Sequence, residues 1–298
     1  MKHVFIVNPD AGRGNAPARV KELVGGRPGC EIYEAKSAAD TADYIRRRCA
    51  SAAETLCFVA CGGDGTVNAV ASGLALEENA SMTVLPLGSG NDFVKAFGGA
   101  ARFMDVDALL AAVPRPIDIL RVGERWAVNA FHFGLDAAVA KTMNDVKEKP
   151  IIGGKTAYPT GVAKALLFNM RTWCAMRVDG QDFHSGDMLL CTVANGQYVG
   201  GSYRCAPRSL QDDGLAEICL VTPVSRLRFL RLMDAYKEGS HLEDPRFAPM
   251  VHYGRGRVIE VEGKPGFMVS LDGEIVEGTS FRVEVIPGGL RFAVPEEK

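Results

Sequence analysis

The sequence lacks the features that mark several protein classes. Its 298 residues carry a formal net charge of −2, so there is no broad basic field of the kind that binds duplex nucleic acid. No apolar run approaches the 18 or more residues of a membrane-spanning helix, and the N-terminal run is too short for a signal peptide. We therefore expect a soluble protein without a nucleic-acid partner, whose contact with any membrane is peripheral.

Paired cysteines are also absent, since none of the eight cysteines forms a Cys-x-x-Cys motif. Several lie in apolar runs such as TLCFVAC and MLLCTVAN, which indicates buried, reduced thiols that act as small hydrophobic side chains. Free thiols are typical of a reducing compartment. The sequence thus predicts a cytoplasmic protein that has no disulfide framework.

What the first 120 residues do contain is a regular alternation of apolar runs and helical patterns. The runs HVFIVN, EIYEA, TLCFVAC and MTVLPL are each followed by a helical segment. This rhythm is typical of a parallel sheet covered by helices. Residues 1–120 are therefore interpreted as an α/β domain with a parallel sheet.

Residues 121–298 show longer β-like runs separated by turn signals. Asp179-Gly180 and Asp272-Gly273 are dipeptides that tight hairpin turns prefer. The pattern predicts a β-rich, antiparallel, sandwich-like domain with two helical insertions, one over about 134–172 and one beginning after Ser225. The last β-like run is compatible with a return to the first domain.

Three of the predicted parallel strands are followed by glycine-rich polar loops, which read NPDAGRG, GGDGT and GSGND. Neither the P-loop nor the dinucleotide fingerprint fits their spacing. The carboxyl ends of parallel strands meet at one edge of a sheet, where backbone amides and helix N-termini favour phosphate. The three loops together predict a phosphate-binding site.

Two acids in these loops, Asp64 and Asp92, conflict with phosphate binding unless a cation is present. Mg²⁺ is commonly held by one or two carboxylates together with substrate phosphates, as a nucleoside triphosphate site requires. The alternative is that both acids only accept hydrogen bonds from turn amides. The loops therefore predict ATP and Mg²⁺ as ligands, with that structural alternative open.

Six motifs occur in a fixed order over nearly the whole chain: NP-x-x-G (8–12), GGDGT-x-N (62–68), PLGSGNDF (86–93), NG-x-x-x-GG (195–201), DDGL (212–215) and LDGE (271–274). Together they resemble the diacylglycerol kinase catalytic family, and in particular its soluble bacterial lipid kinase branch. The resemblance implies two domains with the active site in the cleft between them. It also implies ATP- and Mg²⁺-dependent phosphorylation of a hydroxyl of diacylglycerol or a related membrane lipid.

The resemblance implies roles for individual residues as well. It places ATP against Asn8, Gly12, Gly62, Gly63, Asp64, Gly65, Thr66, Asn68, Ser89 and Asn91. It places Mg²⁺ in a network with Asp64, Asp92 and Asp213, with an additional structural Mg²⁺ on the carbonyls of Leu210 and Leu215. It makes Asp272 the general base and Glu274 its neighbour. Ser89 stands where the family usually has Thr, which keeps the hydroxyl. Without the resemblance, Asp213 and Asp272 are interpreted as turn formers.

Two other functions remain open at this stage. An NAD kinase shares the GGDG loop, although PLGSGNDF and LDGE favour the lipid kinase branch. A nucleotide- or lipid-binding regulator without catalysis is the second alternative, and the presence of every candidate acid argues against it. The sequence does not identify the lipid. It also does not fix the oligomeric state, and a homodimer is one of the states that stay open.

The segment SRLRFLRLMDAYK, which begins at Ser225, alternates arginines with apolar residues. Such a helix either presents cations and apolar side chains to anionic lipid or packs as a core helix whose arginines reach solvent. With a lipid substrate, the first interpretation predicts a peripheral location at the inner face of the membrane.

Overall fold

The fold combines an N-terminal α/β part with a C-terminal antiparallel β sandwich, as the sequence predicts. The computed structural model describes residues 1–147 and 170–297. Within these ranges the strands form two sheets, one of ten strands and one of six. Residues 148–169, which belong to the helical insertion predicted over about 134–172, lie outside the described residues.

The N-terminal part alternates parallel strands with helices. The strands are β1 (Lys2–Val7), β2 (Cys30–Glu34), β3 (Leu56–Gly62) and β4 (Ala80–Pro86), and their spatial order is β2-β1-β3-β4. The helices between them are α1 (Ala16–Val24), α2 (Ala38–Ser51) and α3 (Asp64–Leu74). Strands β3 and β4 are buried along their whole length, as expected for parallel strands covered on both faces.

Two short helices follow β4, namely α4 (Asp92–Lys95) and α5 (Val106–Ala111). Single 3-10 turns lie at Ala11–Gly14, Ala100–Phe103 and Ser240–Leu242. The helical segment that the sequence predicts after MTVLPL is present as α4, which is only four residues long. Helix α4 ends at Lys95 and is soon followed by Gly98 and Gly99, which both have positive φ angles, and a left-handed backbone ends a helix.

The remaining strands lie in the second half of the chain. They are β5 (Pro114–Val122), β6 (Arg125–Ala127), β7 (Ala130–Gly134), β8 (Thr172–Val178), β9 (Gln181–Met188), β10 (Leu190–Ala194), β11 (Ala216–Val221), β12 (Val251–Gly256), β13 (Val258–Gly263), β14 (Met268–Leu271), β15 (Glu274–Glu277) and β16 (Ser280–Ala293). Helix α6 (Leu135–Lys147) follows β7, and α7 (Arg226–Glu238) follows β11. The six-stranded sheet has the order β12-β11-β10-β7-β14-β15.

Strand β16 connects the two parts of the molecule. It pairs in parallel with β4, through Phe292 and Met82, and antiparallel with β5 and β13. The last strand therefore returns to the N-terminal sheet, a possibility that the sequence left open. The division of the chain into domains at residue 120 stays a prediction.

Both predicted hairpin turns are present. Asp179 and Gly180 have φ angles of 50° and 79° and join β8 to β9, while Asp272 and Gly273 have φ angles of 46° and 96° and join β14 to β15. Two consecutive left-handed residues are what the favoured two-residue hairpin turn requires. The turn at Asp272 places this acid at the end of β14.

Candidate active site

The three glycine-rich loops come together at the carboxyl edge of the parallel strands. The backbone N–H groups of Leu87 and Gly88 donate to the carbonyl of Gly62 at 2.9 and 3.1 Å. Asn8, which follows β1, donates from Nδ2 to Thr66 Oγ1 at 3.3 Å. The loops after β1, β3 and β4 therefore form one continuous surface.

Close backbone contacts explain why glycine occupies several of these positions. A Cβ atom on Gly88 would lie 2.3 Å from the Cα of Gly63, and one on Gly62 would lie 2.2 Å from Thr66 Oγ1. Gly65 differs, because a Cβ atom there meets nothing within 4 Å. The fold itself therefore does not require glycine at position 65, and a substitution there can test whether a ligand binds outside.

The other predicted nucleotide contacts also lie in these loops. Gly12 has a φ angle of 59° in the first loop, and Ser89 is exposed in the third. Asn91 closes the third loop on itself, since its amide donates to the carbonyl of Gly88 at 2.9 Å and accepts from the N–H of Gly88 at 3.2 Å. Asn68 lies on α3 and accepts from Ser72 at 3.4 Å.

Asp64 is the first residue of α3 and lies against the third loop. Its Oδ1 accepts from the N–H of Phe93 at 3.1 Å, and a Cβ atom on Gly90 would lie 2.9 Å from its Oδ2. Burial raises the pKa of Asp64, and the charge of Asp92 raises it further, whereas the backbone N–H groups of Phe93 and Asp92 lower it. The two acids are therefore close enough to interact electrostatically.

Asp92 joins the third loop to the loop that follows β10. Its Oδ2 accepts from the N–H of Gly201 at 2.7 Å, and its Oδ1 lies 2.6 Å from Lys95 Nζ. Lys95 Nζ also donates to the carbonyl of Gly201 at 2.6 Å and lies 5.5 Å from the ring centre of Tyr198. We call Asp92, Lys95 and Gly201 the clasp, because these contacts connect the two halves of the site.

Asp272 approaches from the six-stranded sheet. Its carboxylate accepts from the N–H groups of Val128, Asn129 and Ala130 at 2.7, 3.1 and 2.8 Å. Burial raises the pKa of Asp272 to about 7, the three backbone donors oppose that shift, and the charge of Asp64 adds to it. A carboxylate with a pKa near neutrality and within electrostatic reach of Asp64 can accept a proton from a bound hydroxyl.

Glu274 lies beyond the hairpin turn and is exposed. It forms an ion pair with Arg125 on β6. With Asn68 and Trp126, it lines a groove of about 480 Å³ between α3 and β6. The structure thus places Glu274 at the rim of this groove.

Asp213 lies in a different group of side chains from Asp64 and Asp92. It forms an ion pair with Arg255 and accepts from the N–H of Leu215 at 3.1 Å. Arg255 also lies 2.7 Å from the buried Glu217. Leu210 and Leu215 are in the same segment as Asp213, and their predicted role in holding Mg²⁺ stays a prediction.

Asp118 on β5 is a buried acid that the sequence analysis did not select. It accepts from the N–H of Gly214 at 2.7 Å and from that of Gly288 at 2.9 Å, and its carbonyl accepts from Asn195 Nδ2 at 2.9 Å. Burial raises its pKa, which the two glycine amides oppose. The signal that could have revealed Asp118 is a single acid inside the apolar run IDIL.

Lys95 is the second functional candidate that the sequence analysis missed. Its partner Asp92 is three residues away on the same short helix, which is a recognisable spacing for an ion pair. Its other partner, Gly201, lies 106 residues along the chain. Only the fold reveals that contact.

The site's donor set is compatible with Mg²⁺. The described residues contain no cluster of three or more His, Cys, Asp or Glu side chains arranged to hold a metal. Asp64 and Asp92 nevertheless provide two neighbouring carboxylates beside the glycine loops, and Mg²⁺ takes one or two carboxylates with waters and phosphate oxygens as its other ligands. These two acids therefore fit an ion that arrives together with a nucleotide, and Asp92 would bind it through oxygens that also contact Gly201 and Lys95.

Comparisons with known proteins show which family the chain belongs to. The profile of the diacylglycerol kinase catalytic domain matches residues 2–122, and that of the YegS C-terminal NAD kinase beta sandwich-like domain matches residues 129–294. The chain belongs to the diacylglycerol kinase catalytic family, as the sequence motifs predict, and its C-terminal match places it in the YegS-like branch.

Curated relatives carry the name "Probable lipid kinase YegS-like". One from Pseudomonas syringae pv. syringae is 34% identical over 246 residues, which cover 80% of this chain and 76% of the relative. Another from Stenotrophomonas maltophilia is 31% identical over 251 residues, with 80% and 78% covered. A crystal structure described as a diacylglycerol kinase from Bacillus anthracis has a TM-score of 0.69 and 20% identity, with 98% of this chain and 96% of that chain covered. That similarity supports the fold.

Proposed function

We propose that the protein is a lipid kinase that transfers the γ-phosphoryl group of ATP, in the presence of Mg²⁺, to a hydroxyl of diacylglycerol or a related membrane lipid. The observation that carries this proposal is the position of Asp272, which lies within electrostatic reach of Asp64 but belongs to the opposite half of the site. The family and the names of the relatives support a kinase whose acceptor is a lipid.

The nucleotide phosphates would lie on the surface formed by the three glycine loops. The first turn of α3 begins at Asp64 within that surface, and a helix N-terminus carries partial positive charge that favours phosphate. Asp64 and Asp92 would hold Mg²⁺ between these loops and the phosphates. When bound, Mg²⁺ neutralises the charge of the phosphate oxygens, which is a large part of catalysis in phosphoryl transfer.

The acceptor hydroxyl would lie beside Asp272. Its oxygen forms a bond to the γ-phosphorus, the bond between that phosphorus and the bridging oxygen of ADP breaks, and Asp272 takes the hydroxyl proton. The products are a lipid phosphate monoester and ADP. Each carboxylate oxygen can accept more than one hydrogen bond, so the three backbone donors on Asp272 leave room for that proton.

Two alternatives make different use of the same acids. In an NAD kinase-like enzyme, Asp64 would take the proton from a nucleotide hydroxyl. In an inactive regulator, ATP or lipid would bind without transfer. The lipid kinase is favoured because Asp272 and Asp64 occupy opposite halves of the site, which leaves Asp64 to the nucleotide and Asp272 to the acceptor.

A lipid acceptor also has a consequence for where in the cell the protein works. Within residues 1–147 and 170–297, no helix is both long and apolar enough to cross a bilayer. We propose a cytoplasmic protein that makes peripheral contact with the inner face of the membrane. A homodimer is compatible with this function but is not required by it.

The test is a transfer assay with purified protein, Mg²⁺ and ATP labelled at the γ-phosphate. Separate reactions contain diacylglycerol, phosphatidylglycerol, ceramide or NAD⁺ as acceptor. The proposal predicts label in a lipid product and none in NADP⁺, with loss of transfer when Mg²⁺ is chelated. Label in NADP⁺, or ATP binding without transfer to any lipid, would contradict it.

A further inference from the structure

The first half of α7 has an unusual exposed surface. Leu227 and Leu230 are 58% and 51% exposed, although both are large apolar residues. Arg226, Arg228 and Arg231 are exposed around them, and Arg228 Nη2 also donates to the carbonyl of Arg246 at 3.1 Å. We call the two leucines and the three arginines of the helix the α7 face.

The two leucines of the α7 face do not lie on the side by which the helix packs on the protein. Leu232 and Tyr236, four residues apart, are the buried residues of α7 and contribute to an apolar cluster with Leu190 and Phe247. The helix therefore has its own core contact without the two leucines. The interpretation as a core helix with arginines at its edge explains Leu232 and Tyr236 but leaves the α7 face unexplained.

The charges of the α7 face oppose the local preference of a helix. All three arginines lie within the first six residues of α7, and its first turn contains no acid. A helix N-terminus carries partial positive charge and disfavours cations. Exposed leucines and cations at a helix N-terminus are both unfavourable within the isolated chain, and such local conflicts often mark functional sites.

The α7 face carries three cations and no acid among its own residues. The first acid of the helix is Asp234, one turn beyond the leucines, and Glu238 lies at its end. In the neighbouring segment, Asp244 pairs with Arg246 and Glu243 pairs with Arg208. The α7 face is therefore a basic surface with an apolar centre.

The opposite end of α7 is connected to the candidate active site. The N–H of Arg204 donates to the carbonyl of Lys237 at 3.0 Å, and the rings of Tyr203 and Tyr236 are 6.4 Å apart. Residues 203 and 204 lie two and three positions after Gly201 of the clasp. Helix α7 is thus attached to the segment that follows the clasp.

We propose that the α7 face docks on an anionic lipid bilayer, with the arginines on lipid phosphates and the two leucines among the upper acyl chains. This inference rests on the proposed function for its biological purpose, since it brings the site to a lipid acceptor. Its physical basis is independent, because a surface with cations around apolar side chains matches the chemistry of an anionic bilayer. Each arginine near such a surface strengthens partitioning by about 5-fold.

The experiment measures sedimentation of the full-length protein with vesicles of phosphatidylcholine alone or of phosphatidylcholine with phosphatidylglycerol. Arg226→Gln/Arg228→Gln/Arg231→Gln should weaken binding to anionic vesicles by roughly 100-fold. Leu227→Ser/Leu230→Ser should also weaken it. The matched control is Leu76→Ser/Val113→Ser, which removes two apolar residues that are 56% and 74% exposed in the N-terminal part, and this variant should bind like the wild type.

Wild-type protein that ignores anionic vesicles, or a triple variant that binds like the wild type, would overturn the proposal. A control variant that loses as much binding as the α7 variants would overturn it too, because the effect would then not be specific to α7. Transfer to a short-chain diacylglycerol in detergent micelles separates this inference from the kinase proposal. Docking predicts that all three variants keep this micelle activity. If the wild-type protein binds anionic vesicles but shows no micelle activity, that result would contradict only the proposed function.

Discussion

Asp92 and Gly201 are 109 residues apart in sequence, yet Asp92 Oδ2 accepts a hydrogen bond from the Gly201 N–H at 2.7 Å. Lys95 connects the same two residues a second time, through Asp92 Oδ1 and the carbonyl of Gly201. A glycine-rich loop of the N-terminal half is thereby fixed to a glycine-rich loop of the C-terminal half. This junction therefore joins the two halves of the candidate site.

The first prediction concerns Lys95. Replacing it with Met leaves the buried carboxylate of Asp92 without its cation, so Lys95→Met should lower the free energy of unfolding by about 1–3 kcal/mol. Lys95→Arg keeps the charge and should restore most of the loss. Urea denaturation measures both values.

A surface ion pair provides the control for Lys95. Arg46 pairs with Asp43 on α2 with both side chains largely exposed, so Arg46→Met should change stability by less than about 0.5 kcal/mol. If Lys95→Met is no more costly than Arg46→Met, the clasp does not stabilise the junction.

Gly65→Ala tests the placement of the phosphates. Gly65 is the only described glycine that has open space around an added methyl group and no positive φ angle. Alanine there should leave the fold intact, or stabilise it by about 0.4–1 kcal/mol. It should weaken ATP binding by roughly 10-fold or more, equivalent to about 1.4 kcal/mol, because the methyl group occupies the space that the phosphates need. Isothermal titration with Mg²⁺ and ATP measures the affinity.

Position 65 is a better choice than position 63 for this test. A Cβ atom on Gly63 would lie 3.2 Å from the Cα of Gly88, so a larger residue at position 63 disturbs the loops even without ligand. A folded Gly65→Ala protein with wild-type ATP affinity would show that the phosphates lie elsewhere.

The pH dependence of stability tests the environment of Asp136, at the start of α6. Burial raises its pKa to about 7, whereas an aspartate in the unfolded chain titrates near pH ~4. The folded protein therefore binds more protons than the unfolded chain between about pH 4 and 7, and wild-type stability falls as the pH rises through that range.

Asp136→Asn removes this dependence while keeping the side-chain size. Relative to the wild type, the variant should gain on the order of 2 kcal/mol of stability between pH 5 and pH 8. Urea denaturation of both proteins at the two pH values measures the difference. Equal pH slopes for wild type and variant would show that Asp136 ionises normally in the folded protein.

The raised pKa of Asp272 predicts a pH dependence of catalysis as well. A general base must be ionised, so with a pKa of about 7 the kcat for lipid phosphorylation should rise from pH 6 to pH 8 and level off above that. The acid limb should disappear in a variant that lacks the carboxylate. A kcat that is already constant at pH 6 would contradict the pKa.

Local motifs made much of this site predictable. The glycine loops, the βαβ rhythm and the turn at Asp272-Gly273 depend on residues adjacent in sequence, and the chain order of parallel strands places the loops at one edge. Lys95 and Asp118 were not predicted because contacts that define their positions are distant in sequence, such as that of Lys95 with Gly201. Gly288, for example, is 170 residues from Asp118. The sequence also could not decide which side of α7 packs on the protein, since arginines and leucines alternate on it.

The proposed division of labour, in which Asp272 accepts the proton of a lipid hydroxyl while Asp64 serves the nucleotide, can be tested by steady-state kinetics of lipid phosphorylation. The two enzymes to compare with the wild type are Asp272→Asn and Asp64→Asn. Asp272→Asn should lower kcat by about 10² to 10⁴ with the KM for ATP nearly unchanged, whereas Asp64→Asn should raise the apparent KM for Mg²⁺ and ATP. An Asp272→Asn enzyme that keeps the wild-type kcat would contradict the assignment of the base.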